Sequence, residues 1–396
     1  MMSYMNCLYL CFRSTFLTPD KKLRSVHIDT EKKVLKKVVK QHKKSIRECN
    51  VVSGKQGRGC NWAMGYNGPN NLAQAKLPDQ VLESLRKEVE RCDCYSGTVM
   101  MHSIAGGTGA GLGSRLVELI RDEYPLAYIL SAVVAPWTSG ESPLQHYNSL
   151  FSLSWLQRYS DGVLMFSNDE ILHRLSGLNV NKRDRETANV TIDDMNKYIA
   201  ESLAGVMLPV NSLTPKSGVC IGNEPWEMLR SVCPMPAYKF VQIGHTSKSD
   251  VTWEALASTH THKLCRYDTD GNPFSSISTL AVVRGDSTGT FPRSIKSVES
   301  KITSAYNCVK WNPFPVDFWI SSRNINSHPG TSSITVCANS SSIVEYTESV
   351  FKRAQDMFQA KAYLHWYQRY GCDETTFLES FETLNGVINE YKEAVS

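Results

Sequence analysis

A chain of 396 residues with 41% hydrophobic composition can bury a large core and is long enough for two or three domains. Its 43 basic and 39 acidic residues leave a net charge of +4, too mild a balance to single out nucleic acid as a partner. No apolar run reaches the roughly 18 residues that a membrane-spanning helix needs, and 12 scattered cysteines without a small-domain framework point to a reducing compartment and mostly free thiols.

In chain order, the apolar run Cys7–Phe12 opens the sequence without the basic leader or small-residue cleavage site of a secretory signal. From Lys21 to Arg47 lysines alternate with Val34, Leu35, Val38 and Val39 at helical spacing, which predicts an amphipathic helix with a solvated basic face. Asp29 and Glu31 stand near its start, where carboxylates suit a helix N-terminus. Residues Thr98–Ile104 read as a strand, a glycine cluster follows, and Leu112, Leu116, Leu119 and Ile120 then repeat as one helix face. Tyr128–Val134 and Val163–Ser167 are further buried-strand candidates with helical patterns between them, so the first half alternates β and α as in an open, doubly wound parallel sheet.

A helix is expected at Ile192–Met207. Beyond Pro209 the strand candidates Ser278–Arg284, Val316–Ser321 and Ser333–Ala338 suggest a mixed second domain. Two amphipathic runs, Val350–Tyr367 and Asp373–Val395, close the chain, broken at Gly371 and with Asp373 as the cap of the second. His260-x-His262-x-x-Cys265 offers three metal-ligand types, but its surroundings carry no metal signature and chance clustering is the better reading.

The glycine cluster Ala105-Gly106-Gly107-Thr108-Gly109-Ala110-Gly111 sits where a strand hands over to a helix, so its amides and the helix N-terminus can cradle a phosphate. No Gly-Lys-Ser/Thr closes it as in a Walker loop, and Leu112 and Ser114 break the dinucleotide spacing. The bland alternative is an ordinary glycine-rich turn.

With His102-Ser103-Ile104 before it and Leu116-Val117-Glu118 after it, this cluster resembles the signature loop of tubulins. Other pieces follow in that family's order. Asp29-Thr30-Glu31 resembles its second nucleotide loop and Gly57–Ala63, with Asn61, its third. Glu141 and Tyr147-Asn148 resemble the loop beside the ribose, Asn168 the guanine-contacting asparagine, and Asn196 in Asp194-Met195-Asn196 the second guanine contact. The resemblance runs from about Leu23 to the end. Residues 148–161, 357–365 and 377–381 look more like delta-tubulin than alpha or beta, with epsilon-tubulin second.

The family's fold is then expected: a doubly wound GTP-binding domain (1–190), a core helix (191–208), a mixed α/β intermediate domain (209–340) and C-terminal helices forming a hairpin (341–396). The ligands implied are GTP, on residues 105–111, Asn61, Glu141, Asn168 and Asn196, and Mg2+ near Asp29 and Glu31, whose hard oxygens suit it. An asparagine amide both donates and accepts, which matches the edge of guanine; asparagine also makes turns, and Asp29 and Glu31 also serve a helix N-terminus without a metal.

In this family a carboxylate from the next subunit activates water, and here Glu227 and Glu224 stand at the two acidic positions of that loop; the alternative is a pair of solvated loop glutamates. Two departures touch the nucleotide: Cys60 replaces an asparagine and Ile192 a base-stacking aromatic. Nothing in Met1–Lys22 matches the family's first phosphate loop, and the chain ends at Ser396 without an acidic tail, which argues against a bulk lattice subunit.

The function implied is that of a delta-tubulin-like cytoskeletal protein of centrioles, basal bodies or cilia, in cytoplasm and with the nucleus as a further compartment. Its partners would be other tubulins and centriolar or ciliary proteins, with no nucleic acid and no membrane span. The alternatives are a non-hydrolysing GTP-binding scaffold and an incomplete chain with impaired nucleotide binding.

Overall fold

The computed structural model describes residues 16–69, 76–179, 190–210, 212–214, 225–285, 289–325 and 330–395. The apolar run Cys7–Phe12 and Glu224 lie outside these residues. In chain order the elements are β1 (His27–Asp29), α1 (Lys32–His42), β2 (Val51–Ser53), α2 (Trp62–Tyr66), α3 (Leu77–Val89), β3 (Gly97–Ser103), α4 (Gly113–Glu123), β4 (Tyr128–Ala135), α5 (Gln145–Tyr159), β5 (Gly162–Ser167), α6 (Asn168–Asn179) and α7 (Ile192–Met207). Then come β6 (Ser212–Thr214), α8 (Glu227–Val232), β7 (Phe240–Ser249), α9 (Trp253–His262), β8 (Ser276–Gly285), α10 (Phe291–Ala305), β9 (Val316–Ser321), β10 (Thr331–Ser340), α11 (Ser342–Gln359), α12 (Leu364–Gln368) and α13 (Glu374–Val395).

Strands β3, β4 and β5 pair in parallel and continue through β7 into a mixed part, giving the order β3-β4-β5-β7-β10-β8-β9-β6. Strand β10 runs antiparallel to both β7 and β8, while β8 and β9 are parallel. A separate parallel pair, β1-β2, leads into the Asp29-Thr30-Glu31 segment.

Period-two alternation explains why both faces of the central strands are covered. Ile129 and Val133 of β4, with Val163 and Met165 of β5, join a cluster with α4, α5, α11 and α13; Leu130, Ala132, Leu164 and Phe166 face α6, α7 and α8. Helix α5 is buried from Tyr147 to Leu156, sandwiched between the sheet and the C-terminal helices; the polar residues within that stretch are small serines and the fully bonded Asn148. A third cluster packs α9 and α10 onto β8–β10 through Trp253, Phe291, Phe318 and Val336.

The core helix α7 begins where the sequence placed it, because Thr191 and Asp194 form a reciprocal capping box. Its far end is closed by buried Arg284 of β8, which donates to the carbonyls of Gly205 (2.8 Å), Pro209 (3.1 Å) and Leu208, a cation at a helix C-terminus. The C-terminal helices differ from the sequence expectation. The first starts at Ser342 and stops at Gln359, because Lys361 and Tyr363 adopt left-handed backbone (φ 52° and 57°) and divide Val350–Tyr367 into two helices. Gly371 (φ 76°) supplies the next break and Asp373 caps α13 by accepting from the Thr376 N–H at 3.0 Å. No described helix is long and apolar enough to cross a membrane.

Candidate functional site

The parallel strands β3, β4 and β5 all deliver their carboxyl ends to one edge of the sheet, where the glycine loop, the loop after β4 and the start of α6 meet. After β3 the chain makes one turn of π-helix, Thr108–Leu112, before α4. The four glycines of the loop 105–111 are needed for different reasons. A Cβ on Gly111 would lie 2.1 Å from the Trp62 carbonyl oxygen, one on Gly107 would lie 2.6 Å from that of Arg58, and one on Gly109 would lie 2.8 Å from that of Ser103. These three permit close backbone packing at φ values that are not left-handed. Gly106 alone faces open space, with nothing within 4 Å of its Cβ position, and the N–H groups of Gly106 and Gly107 have no partner among the described residues. Open space beside unpaired amides is what an approaching phosphate requires.

The loop is held from several sides. Helix α2 crosses it so closely that a Cβ on Gly65 would meet the Gly107 oxygen at 2.0 Å. Asn148 of α5, fully buried, uses its whole amide as a tie: Nδ2 donates to the carbonyls of Cys60 and Ala105, both at 2.7 Å, and Oδ1 accepts from the Trp62 N–H at 2.9 Å and the Tyr367 hydroxyl at 2.7 Å. Four segments far apart in sequence thus share one asparagine. Its neighbour Tyr147 donates to the Ala362 carbonyl at 3.2 Å, so both residues brace the C-terminal helices and do not line the loop beside the ribose.

Beneath α2, the Tyr66 hydroxyl donates to Glu118, which also accepts from the Trp155 indole at 3.2 Å and pairs with Arg115 at 3.3 Å. Burial, reinforced by the Glu118 contact, pushes the Tyr66 phenol up to about 12. Burial likewise lowers the pKa of Arg58, whose guanidinium donates to the Gln56 carbonyl at 3.2 Å.

The Asp29-Thr30-Glu31 segment reaches the glycine loop through Thr30, whose hydroxyl hydrogen-bonds that of Thr108 at 2.7 Å. Asp29 and Glu31 flank this contact. Asp29 ends β1 and accepts from the Glu31 N–H at 3.0 Å, while Glu31 sits at the N-cap position of α1 without making a side-chain cap bond. Among the described residues no group of three or more His, Cys, Asp or Glu is placed to hold a metal ion. The donors that fit magnesium are therefore the two carboxylates and the two threonine hydroxyls, with phosphate and water needed to complete its shell.

Asn61 is spent on structure: it caps α2 by accepting from the Met64 N–H and donates to the Trp366 carbonyl, both at 3.1 Å. Asn168 and Asn196 differ. They are half-buried, at the starts of two neighbouring helices, and among the described residues their amides have no hydrogen-bond partner. Ile192 precedes Asn196 by four positions on one face of α7 and is 75% exposed. Glu141 lies in the loop after β4, its N–H held by Gln145 at 2.7 Å. That loop is tied to α6 by Asp169, which accepts from the Thr138 N–H (2.8 Å) and hydroxyl (2.7 Å) beside Asn168. Sequence reasoning missed Asp169, Thr108 with Thr30 as a bridge, and Tyr367.

The remaining acid, Glu227, opens α8 at the other end of the sheet. Trp226 beside it stacks on Tyr128, the first residue of β4, with ring centroids 6.3 Å apart. The histidines of the 260–265 stretch do not converge on a metal: His260 is buried, with Nδ1 on the Thr246 hydroxyl (3.1 Å) and Nε2 on that of Tyr306 (2.9 Å).

Residues 6–176 match the GTPase domain of the Tubulin/FtsZ family. The match begins well ahead of Leu23, where the residue-by-residue resemblance starts, and takes in the Cys7–Phe12 run. The chain is 28% identical to the tubulin delta chain of Homo sapiens and 27% identical to that of Macaca fascicularis, in each case over 93% of this chain and 86% of the relative. It is 28% identical to the tubulin beta chain of Trichophyton rubrum over 88% of this chain and 76% of that one.

Proposed function

Since the chain belongs to the tubulin superfamily, we propose that it is a GTP-binding, delta-tubulin-like cytoskeletal protein acting at centrioles, basal bodies or cilia with other tubulins as partners. The observation that supports the nucleotide reading is an open, amide-lined turn at Gly106–Gly107 on the same edge of the sheet as Asn168, with Asn196 on the next helix; among the described residues the amides of both asparagines have no hydrogen-bond partner. The glycine amides suit the triphosphate, the two asparagines suit guanine, and Ile192 offers an apolar surface where the base would lie. Magnesium would sit between the phosphates and the Asp29–Glu31 segment. The division into residues 1–190, 191–208, 209–340 and 341–396 belongs to the same reading.

Nucleotide retained by purified protein, identified by chromatography after denaturation, tests it. Guanine nucleotide is expected, and ATP should compete poorly in titration; equal affinity for the two would remove the base assignment. Affinity should fall below that of relatives whose third-loop asparagine is free, because Asn61 is committed to α2 and each hydrogen bond to a charged phosphate is worth about 1.5–3 kcal/mol.

A further inference from the structure

Helix α1 carries a charge pattern that its own fold does not use. Its sequence from Lys32 to His42 is KKVLKKVVKQH. At about 100° per residue, Lys32, Lys33, Lys36, Lys37 and Lys40 fall within one arc of about 140°. The opposite side is apolar: Leu35 is buried and Val38 packs against Leu17, Leu23 and Ile46. All five lysines are exposed, and exposed Lys43 and Lys44 continue the surface past the helix. Among the described residues none of these seven pairs with a carboxylate. The acids around them are engaged or marginal: Asp20 pairs with Arg47, Glu88 with Arg47 and Arg91, Asp29 holds the Glu31 N–H, and Glu31 and Glu48 stand beyond the two ends of the lysine row.

The pattern works against the helix that bears it. Lys32 and Lys33 occupy the first turn, where no acidic residue and no side-chain cap is present, so their charges face the positive end of the helix dipole. Lys32 with Lys36, Lys33 with Lys37 and Lys36 with Lys40 are like-charge pairs at four-residue spacing, which destabilise a helix. Folding therefore gains nothing from this face, whereas an external anion would relieve every one of these repulsions.

We propose that the lysine face of α1 is a docking surface for an acidic polypeptide, a Glu/Asp-rich segment of a partner protein. The composition selects this occupant. Residues 21–55 contain no phenylalanine, tyrosine or tryptophan on which a base could stack, their two histidines, His27 and His42, are only partly exposed, and the helix has no arginine to grip phosphate in bidentate fashion. The exposed apolar group among the lysines is Val34, which gives a bilayer no bulky anchor. A row of mobile point charges fits a row of mobile carboxylates.

The test is fluorescence anisotropy of the full chain with a labelled short polyglutamate peptide, beside a single-stranded oligonucleotide and phosphatidylserine vesicles. Polyglutamate should bind most tightly and weaken about tenfold between low and physiological salt. The quadruple variant Lys33→Glu, Lys36→Glu, Lys37→Glu, Lys40→Glu should lose binding with its circular dichroism unchanged. The single variant Lys33→Glu should weaken binding while its melting temperature holds or rises, since a carboxylate in the first turn suits the helix dipole. Absence of polyglutamate binding, tighter binding of oligonucleotide or vesicles, or undiminished binding by a folded quadruple variant would overturn the assignment.

Discussion

A glycine can be present because its own backbone needs room or because a ligand does, and the turn after β3 contains both kinds. Gly107, Gly109 and Gly111 press on protein backbone, whereas Gly106 presses on nothing. Gly109→Val should therefore lose both stability and nucleotide binding, since its Cβ would collide with Ser103. Gly106→Val should leave the melting temperature nearly unchanged yet weaken GTP by about tenfold or more, because the new side chain fills the space before the amides. Thermal melts set beside nucleotide titrations separate the two; equal loss of stability in both variants would remove Gly106 from the site. Both Gly substitutions should weaken binding more than Glu227→Ala, which lies far from this turn. The same distinction governs what could be read from sequence. The glycine run was legible because its spacing is local, whereas Asn168 and Asn196 were singled out only by the resemblance to tubulins. Asn148 was visible as a residue, but its ties to Cys60, Ala105, Trp62 and Tyr367 are not, because they join segments up to 219 positions apart. Asp169 gave no signal beyond an acid in a helix's first turn, which is commonplace.

At the scale of elements, short apolar runs located buried strands, and helical periodicity located helices with one buried face. Strand β9 and helix α7 begin and end where their patterns do. The C-terminal break was less legible because two left-handed residues that are not glycine, Lys361 and Tyr363, make it. Strand β7 was not anticipated, and it carries an electrostatic feature with a measurable consequence. His245 on β7 is buried, with Nδ1 on the Thr335 hydroxyl at 2.8 Å. Burial first, then the charges of Arg284 and Lys263, lower its pKa to about 4. His260, facing the same strand from α9, is shifted in the same direction, again by burial first and then by Arg174, His245 and Lys263. A folded pKa held below the unfolded value makes the neutral ring the native form. Stability is then complete above about pH 6.5 and declines as pH falls toward about 4, by up to roughly 3 kcal/mol for one such group. Urea midpoints at neutral pH and near pH 5 should show the decline, and His245→Gln should reduce it. A wild-type midpoint that does not move over that range would contradict the burial of a neutral His245.

At the scale of the whole molecule, one sheet separates two chemistries. The carboxyl ends of β3, β4 and β5 hold the glycine loop, Glu141 and Asn168, while their amino ends hold α8, where Trp226 covers Tyr128 and Leu229 covers Gly162. Strand β4 is eight residues long, so at about 3.3 Å per residue its first and last residues lie roughly 23 Å apart. Glu227 at the start of α8 cannot meet a nucleotide bound at the opposite edge of its own sheet. If it orients or deprotonates water beside a phosphate, it does so for the nucleotide of a second subunit stacked on that end. Purified monomer should accordingly show negligible GTPase activity, and turnover should appear when a partner tubulin presents its nucleotide to α8. Glu227→Ala should then slow turnover while nucleotide affinity and the stacked complex persist, as for an interaction made in the transition state. Single-turnover assays on monomer and complex decide the matter: equal rates in both would place the hydrolytic group elsewhere. Stable complexes without turnover in either the parent or the variant would instead favour the scaffold, with GTP held as a structural ligand by the amides of Gly106 and Gly107 together with Asn168 and Asn196.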